Sequence, residues 1–292
     1  MLPLEAVPNF SEGRDRATID ALGSALAAHA RVLDVHADTD HNRSVFTVVG
    51  DDGPLSEALV AAVRVAVELI DLRKHEGAHP RIGAADVVPV VPIEPIDLER
   101  AQRVAAGVAE RIGTELELPV FVYAPPDVGP AHFRRGGPER LQARIDAGEL
   151  APDFGPTRLH PTAGGVILGA RRPLIAFNVN LRGDLRVARE VAGIVRERGG
   201  GFPGVRALGL DLPSVGLVQV SMNVEDWEAA ALHEIVERVA TEAEARGAEV
   251  VGSELVGLMP AGAAAAAAGA VLRIDGFDSS RVLELRLIDS GP

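Results

Sequence analysis

Apolar residues recur along this chain at two spacings, one typical of helices and the other typical of strands. Apolar side chains at every third or fourth position between residues 19 and 26 predict a helix over 13–29, for which Ser11 can serve as the N-cap. The same spacing predicts longer helices over 55–72 and 97–116. Short runs rich in Val, Phe and Thr lie between these helices and predict strands.

The predicted elements follow the same order in both halves of the chain. The predicted strands of the first half cover residues 5–10, 32–36, 43–49, 86–91 and 119–123. Those of the second half cover residues 174–180, 205–211, 217–223 and 249–255. The strands over 205–211 and 217–223 are predicted to pair as a hairpin, and Asp184 is predicted to start a helix. With the helices between them, each half gives β-α-β-β-α-β, the order of a split βαβ unit, and in the first half a further helix and strand follow it. We therefore expect an α+β protein of two tandem ferredoxin-like (split βαβ) subdomains, one over residues 1–170 and one over 171–292.

Composition excludes several classes of protein. The chain is 47% hydrophobic and 24% charged, which is typical of a soluble globular protein. Its net charge of -13 argues against a nucleic-acid partner. The absence of cysteine excludes disulfides and thiolate metal sites and favours a cytoplasmic location. We also expect no membrane span, because no apolar run reaches the roughly 18 residues that one requires.

The segment 74–86 concentrates polar chemistry between a predicted helix and a predicted strand. His79 is a candidate general acid-base, because histidine takes and returns protons near neutral pH. Pro80 would stiffen the backbone, and Arg81 would supply positive charge for a carboxylate. The alternative is that His79 only makes hydrogen bonds within a turn.

A metal site is a second interpretation of the same segment. His75, Glu76 and His79 fit the H-E-x-x-H pattern of zinc hydrolases. Both histidines must then lie on one face of an intact helix, and Gly77 and Pro80 interrupt a helix here. We therefore expect no metal and keep the zinc hydrolase as an alternative.

Two further segments carry more polar side chains than a turn requires. Residues 36–43 form the predicted tip of a hairpin and include two histidines, two acidic residues and an arginine. They lack the spacing and the glycine of an EF-hand. Residues 155–165 belong to one of two predicted loops rich in Pro and Gly, the other being 125–138. No phosphate-loop pattern follows their glycines, so nucleotide binding is unsupported.

Six segments in chain order resemble glutamate formimidoyltransferase, the formiminotransferase module of formiminotransferase-cyclodeaminase. They cover residues 7–13, 42–45, 79–86, 151–156, 175–181 and 251–258. The resemblance implies two ferredoxin-like subdomains flanking a substrate groove. The family's catalytic histidine, in His-Pro-Arg-x-Gly, falls on His79. Its folate-binding loop falls on Gly155, Pro156, Thr157, Arg158, Leu159, His160, Pro161, Thr162, Ala163 and Gly164.

The implied reaction transfers the formimino group of N-formimino-L-glutamate to N5 of tetrahydrofolate. We expect Asn42, Arg43, Arg81 and His36 to orient the substrates. Tetrahydrofolate is a co-substrate, so we expect no prosthetic group. The resemblance also implies a cytoplasmic homodimer, and no deaminase activity is expected.

Three alternatives stay open at this stage. The same scaffold could handle 5-formyltetrahydrofolate, it could bind folate without turnover, or the chain could be the zinc hydrolase.

Overall fold

A computed structural model describes residues 2–125 and 128–289. Contacts divide the chain into two compact units, Met1–Pro173 and Leu174–Pro292. Within the described residues the first unit contains a seven-stranded sheet and the second a four-stranded sheet. With helices on both sheets, the protein is mixed α/β. No helix in this described part is both long and apolar enough to cross a membrane.

The large sheet of the first unit is mostly antiparallel. Its strands are β1 (Leu4–Ala6), β2 (Asn9–Phe10), β3 (Arg31–Asp38), β4 (Arg43–Gly50), β5 (Ala85–Pro92), β6 (Val120–Tyr123) and β7 (Val166–Ala170). Both β1 and β2 lie between β4 and β5, because each pairs with these two strands. The spatial order is therefore β3, β4, β1 with β2, β5, β7 and β6. Only β5–β7 and β6–β7 are parallel.

Helices cover both faces of the large sheet beside β5. They are α1 (Arg16–Ala27), α2 (Asp52–Leu69), α3 (Leu98–Glu115), α4 (Ala131–Arg134) and α5 (Gly137–Asp146). Val88 of β5 packs with the buried faces of α1, α2 and α3. Val87 points to the opposite face, because side chains alternate along a strand, and it packs with Phe133 of α4 and Leu141 of α5. Burial on both faces explains why β5 is a continuous apolar run.

The sheet of the second unit has the same strand order as the part of the first sheet formed by β5, β1 with β2, β4 and β3. Its elements are β8 (Ile175–Arg182), α6 (Leu185–Val195), β9 (Val205–Leu212), β10 (Leu217–Val224), α7 (Leu232–Glu244), β11 (Glu249–Val256), α8 (Ala261–Leu272) and α9 (Leu283–Asp289). The strands lie in the order β11, β8, β10 and β9, and all pairs are antiparallel. Alternate residues of β8 and β10 pack against α6 and α7 and form this unit's core.

Several sequence-based predictions are confirmed and others are wrong. The hairpins β3–β4 and β9–β10 form, and Asp184 caps α6 by accepting from the Arg186 amide. Ser11 does not cap α1. That cap is Asp15, and the Ser11 hydroxyl instead donates to the Gly83 carbonyl at 2.7 Å. The sequence pattern does not predict β7, because glycine-rich loop residues precede this short strand directly.

The predicted loop over 125–138 also differs from the structure. It contains α4, a short helix that brings Phe133 into the apolar cluster on the far side of β5. Residues 126 and 127 of this loop lie outside the described residues. Burial of Phe133 fixes the position of its neighbour Arg134, which contacts Asp86 of β5.

A close backbone contact joins the start of β5 to the end of the loop before β7. A Cβ atom on Gly83 would collide with the carbonyl oxygens of Gly165 and Ala85. We predict that Gly83→Ala lowers the free energy of unfolding by about 1–3 kcal/mol, the usual cost of overpacking. Gly107→Ala is the matched control, because this glycine lies within α3 with no atom within 4 Å of an added Cβ. It should raise stability by up to about 1 kcal/mol.

Urea unfolding of both variants measures this difference. Equal stability of the two alanine variants would show that the Gly83 contact is not restrictive.

Candidate active site

The loop that carries His79 lies between α2 and β5, and its backbone is irregular. One turn of 3-10 helix covers Leu72–Lys74, and residues 75–84 form no helix. Pro80 directly follows His79 and disfavours helical geometry there. The two histidines of the H-E-x-x-H pattern therefore do not share a helix face, which the zinc-hydrolase alternative requires.

Arg81 joins this loop to the tip of the β3–β4 hairpin through hydrogen bonds. Its guanidinium donates to the carbonyl oxygens of His79 at 2.8 and 3.1 Å, His41 at 2.8 Å and Asn42 at 3.0 Å. Its Nη1 also lies 2.6 Å from Nε2 of His75. Most donors of this guanidinium are therefore used within the protein. Burial lowers the pKa of Arg81 to about 10.

Asn42 holds the hairpin tip in a conformation that few residue types adopt. Its φ is +46°, in the left-handed region where asparagine is enriched. Its buried amide accepts from the Gly13 N–H at 2.9 Å and donates to the Glu76 carbonyl at 3.0 Å. Asn42 therefore joins three segments, the one before α1, the hairpin and the His79 loop.

Arg43 connects the hairpin to the catalytic candidate. Its Nε and Nη2 donate to Oδ1 of Asn9 at 3.0 and 2.6 Å. Its Nη1 lies 2.6 Å from Nδ1 of His79 and 3.5 Å from Oδ2 of Asp86. Burial and the neighbouring Arg134 lower the pKa of Arg43 to about 9, although Asp86 opposes that shift. Arg43 therefore remains a cation at neutral pH and sits against the histidine ring.

Asp86 is a buried carboxylate that contacts two arginines, Arg43 and Arg134. It is 1% exposed at the start of β5, and its Oδ1 accepts from the Ile82 N–H at 2.8 Å. Its Oδ2 lies 2.6 Å from Nη2 of Arg134, a residue of α4. Two guanidinium groups from separate elements thus meet one carboxylate, and His79 lies beside them.

The surroundings of His79 favour its neutral form. Burial, Arg43, Arg134 and His41 together lower the pKa of His79 well below 6.5, the ordinary value for histidine. Its Nδ1 lies 2.8 Å from the Pro80 carbonyl, an acceptor, and 2.6 Å from Nη1 of Arg43, a donor. The carbonyl favours a proton on Nδ1, whereas the guanidinium favours a lone pair there.

The structure places the other predicted site residues at different positions around this group. His36 lies in β3 opposite Val45 and, because side chains alternate, on the same sheet face as Arg43. His41 lies at the hairpin tip, with its ring centroid 6.0 Å from that of His79. His41 was part of a segment predicted to be functional, and the structure brings it to the catalytic candidate.

The end of the predicted folate loop makes backbone hydrogen bonds with both ends of the segment that carries His79. The carbonyls of Thr162 and Ala163 accept from the Leu72 and Ala84 amides, each at 2.8 Å. The ring of His160 stabilises this turn by accepting from the Ala163 N–H at 3.0 Å. The start of the loop lies elsewhere. Gly155, with a φ of +81°, packs against the end of α3, while Pro156, Thr157 and Arg158 are exposed.

Cations rather than metal ligands surround both histidines of the H-E-x-x-H pattern. A guanidinium nitrogen lies 2.6 Å from a ring nitrogen in each, Arg81 at His75 and Arg43 at His79. A bound zinc ion would therefore meet two positive charges at close range. Across the described residues, no group of three or more His, Asp or Glu side chains could hold a metal ion.

Sequence analysis missed three residues of this site. Asn9 and Asp86 lie inside segments that carry the family resemblance, and an acidic residue at the start of the valine-rich β5 was the available signal. Arg134 gave no signal, because it stands in a segment predicted to be a loop.

Comparison with known proteins covers almost the whole chain. Residues 3–171 match the formiminotransferase domain, N-terminal subdomain, and residues 176–277 match the formiminotransferase domain. A glutamate formimidoyltransferase of Streptococcus pyogenes serotype M1 is 41% identical over 98% of each chain. That of Thermoplasma acidophilum is 37% identical over 97% of each chain. The formimidoyltransferase-cyclodeaminase of Rattus norvegicus is 39% identical over 82% of this chain and 47% of that protein.

Similarity to solved structures is weak. A crystal structure of an unknown protein from Galdieria sulphuraria aligns over 88% of this chain and 99% of that chain. Its TM-score is 0.28 at 10% identity, which is too low to support an argument about the fold.

The carbonyl contacts of Arg81 predict a structural effect. We expect Arg81→Gln to lower the free energy of unfolding by about 1–3 kcal/mol, because it leaves buried acceptors without donors. The matched control is Arg73→Gln, which removes an exposed arginine paired with Asp71 in the same loop. That change should cost less than about 1 kcal/mol. Urea unfolding distinguishes the two, and a larger loss in the control would contradict the role of Arg81.

Proposed function

This chain belongs to the formiminotransferase family, and we propose that it transfers the formimino group of N-formimino-L-glutamate to N5 of tetrahydrofolate. The observation that carries the proposal is the position of His79, the histidine of the family motif, within a group of buried cations. A histidine held neutral there can accept a proton at physiological pH. The 5-formyltetrahydrofolate and binding-only alternatives are not favoured, because the named relatives are formimidoyltransferases.

The reaction requires two proton transfers, and one histidine can perform both. Attack of N5 on the formimino carbon forms the N5–C bond and gives a tetrahedral intermediate in which N5 is cationic. His79 takes the proton from N5. The bond from carbon to the glutamate nitrogen then breaks, its electron pair stays on that nitrogen, and His79 returns the proton there. The products are 5-formimino-tetrahydrofolate and L-glutamate.

The lowered pKa of His79 suits both transfers. A cationic N5 is acidic, so a weak base can deprotonate it. The resulting imidazolium is destabilised by burial and by Arg43, so it gives the proton up readily to the leaving nitrogen. Neither step needs a metal or a prosthetic group, and tetrahydrofolate takes part as co-substrate. Holding both substrates together removes much of the entropic barrier.

The finer predictions of architecture and assembly remain proposals. We propose that each unit is a ferredoxin-like subdomain, which the order β11-β8-β10-β9 and the matching order around β1 and β2 support. The boundary proposed at 170/171 is close to the division at Pro173. Folate binding by residues 155–164 and substrate orientation by Asn42, Arg43, Arg81 and His36 are likewise proposals. The homodimer and the cytoplasmic location stay predictions, the latter supported by the absence of cysteine.

The assignment of His79 is tested by substitution. We predict that His79→Ala folds but loses about 10²–10⁴-fold in turnover with formiminoglutamate and tetrahydrofolate, the usual loss for a general acid-base. His29→Ala is the control, because this histidine is exposed at the end of α1. It should retain full turnover. A His79→Ala enzyme with wild-type kcat would refute the assignment, and a wild-type enzyme without turnover would refute the function.

The direction of the His79 pKa shift predicts a pH profile. Only the neutral imidazole acts as base, so kcat/KM should stay level down to pH 6.5. At lower pH, protonation of this single group should lower kcat/KM. Arg43→Gln removes one of the charges that lower this pKa, so the acid limb should move toward higher pH. The substrates titrate identically in both assays. A difference between the two pH profiles therefore reports an ionisation of the enzyme. An acid limb that stays in place in this variant would contradict the role of Arg43.

A further inference from the structure

Arg134 is a buried cation whose donors are not fully used. It is the last residue of α4, its side chain is 15% exposed, and its Nη2 lies 2.6 Å from Oδ2 of Asp86. Its Nε is nevertheless buried without a hydrogen bond or an ion pair to any residue that the structure describes. A buried donor without an acceptor is unfavourable and calls for a partner. The guanidinium thus keeps a donor nitrogen outside its contact with Asp86.

The other two arginines of the site are occupied. Arg81 donates to three carbonyl oxygens, and Arg43 donates twice to Asn9 and contacts His79. A substrate carboxylate could bind either of them only by displacing these contacts. Arg134 can keep its Nη2 contact with Asp86, because its Nε has no such partner among the described residues. Its place is also fixed, because the neighbouring Phe133 is 3% exposed and its ring centroid lies 5.4 Å from that of Phe121.

The charge balance around Arg134 favours an anionic ligand. Arg43, Arg81 and Arg134 share one buried carboxylate, Asp86, within this group. An incoming carboxylate would neutralise part of the excess and accept from the donors of the planar guanidinium that do not face Asp86. Accordingly, we propose that Arg134 binds the α-carboxylate of the formimino donor, an N-substituted L-glutamate. This inference rests on the function proposed above.

The reaction explains why the α-carboxylate of the donor is the ligand. In N-formimino-L-glutamate the α-carboxylate is two bonds from the nitrogen that leaves, and His79 must protonate that nitrogen. A carboxylate receptor for this group must therefore lie near His79. Contacts from His79 to Arg43, from Arg43 to Asp86 and from Asp86 to Arg134 place the guanidinium there. The glutamyl carboxylates of tetrahydrofolate are attached beyond the aminobenzoyl ring and are much farther from N5.

The alternative is that Arg134 only neutralises Asp86. A purely structural counter-ion would affect stability or kcat without discriminating between ligands. A receptor for the α-carboxylate would instead affect the KM of one substrate and the recognition of one functional group. These readouts separate the two roles.

Steady-state kinetics of Arg134→Gln tests the proposal. The KM for formiminoglutamate should rise about 10–100-fold while the KM for tetrahydrofolate changes less than about twofold, because only donor binding is lost. Inhibition by L-glutamate is then compared with inhibition by 4-aminobutyrate, which lacks the α-carboxylate. Wild type should prefer L-glutamate at least about tenfold, and the variant should lose most of that preference.

Two further variants complete the design. Arg135→Gln removes the adjacent, exposed arginine and should leave both KM values unchanged. Arg134→Lys keeps a positive charge beside Asp86 but loses the planar guanidinium, so its KM for formiminoglutamate should rise about fivefold or more. If Arg134→Gln fails to fold, this lysine variant decides alone.

The outcomes differ for each claim. The role of Arg134 is overturned if the variant shows an unchanged KM for formiminoglutamate, an equal rise in both KM values, or a retained preference for L-glutamate. Normal turnover by the wild-type enzyme would still leave the proposed function intact. A wild-type enzyme without turnover overturns the proposed function and this inference together.

Discussion

A single buried carboxylate, that of Asp86, organises the charged side chains of this site. It lies at the start of β5 and meets Arg43 from β4 and Arg134 from α4. Removing one partner from a buried ion pair typically costs about 3–5 kcal/mol, because it leaves an uncompensated charge. Without Asp86, guanidinium groups from two elements would face each other with little solvent to screen them. The position of His79 beside Arg43 therefore depends on this carboxylate.

The site is locally positive although the protein as a whole is acidic. The chain carries a net charge of -13, whereas Arg43, Arg81 and Arg134 cluster around one aspartate. The net charge would repel anionic substrates, whereas this local group of arginines would attract them. The same cations act on His79, so under the proposed function one arrangement would serve both binding of carboxylates and control of the proton on His79.

Local patterns predicted those parts of the fold that local chemistry determines. Alternating strands with Asp-rich or short turns gave the hairpins β3–β4 and β9–β10, and Asp184 was identified as a helix cap. The cap of α1 was misassigned because Ser11 and Asp15 are both good cap residues. Only the tertiary contact of Ser11 with Gly83 separates them.

Parts of the site that depend on contacts distant in sequence could not be predicted. His79 and Arg43 stood out because motif and residue type point to chemistry. Arg134 did not, because its role depends on Phe133 docking into an apolar cluster assembled from β5, β6 and α5. In the same way Arg81 was expected to bind substrate, and its carbonyl partners become evident only once the hairpin tip is in place.

The central claim is that its surroundings hold His79 neutral at physiological pH. An NMR titration of the histidine ring signals tests it most directly, with His79 assigned as the signal missing from His79→Ala. The account predicts that His79 titrates below pH 6.5 and that its pKa rises in Arg43→Gln. A His79 signal that titrates at or above pH 6.5 in the wild-type protein would contradict the account.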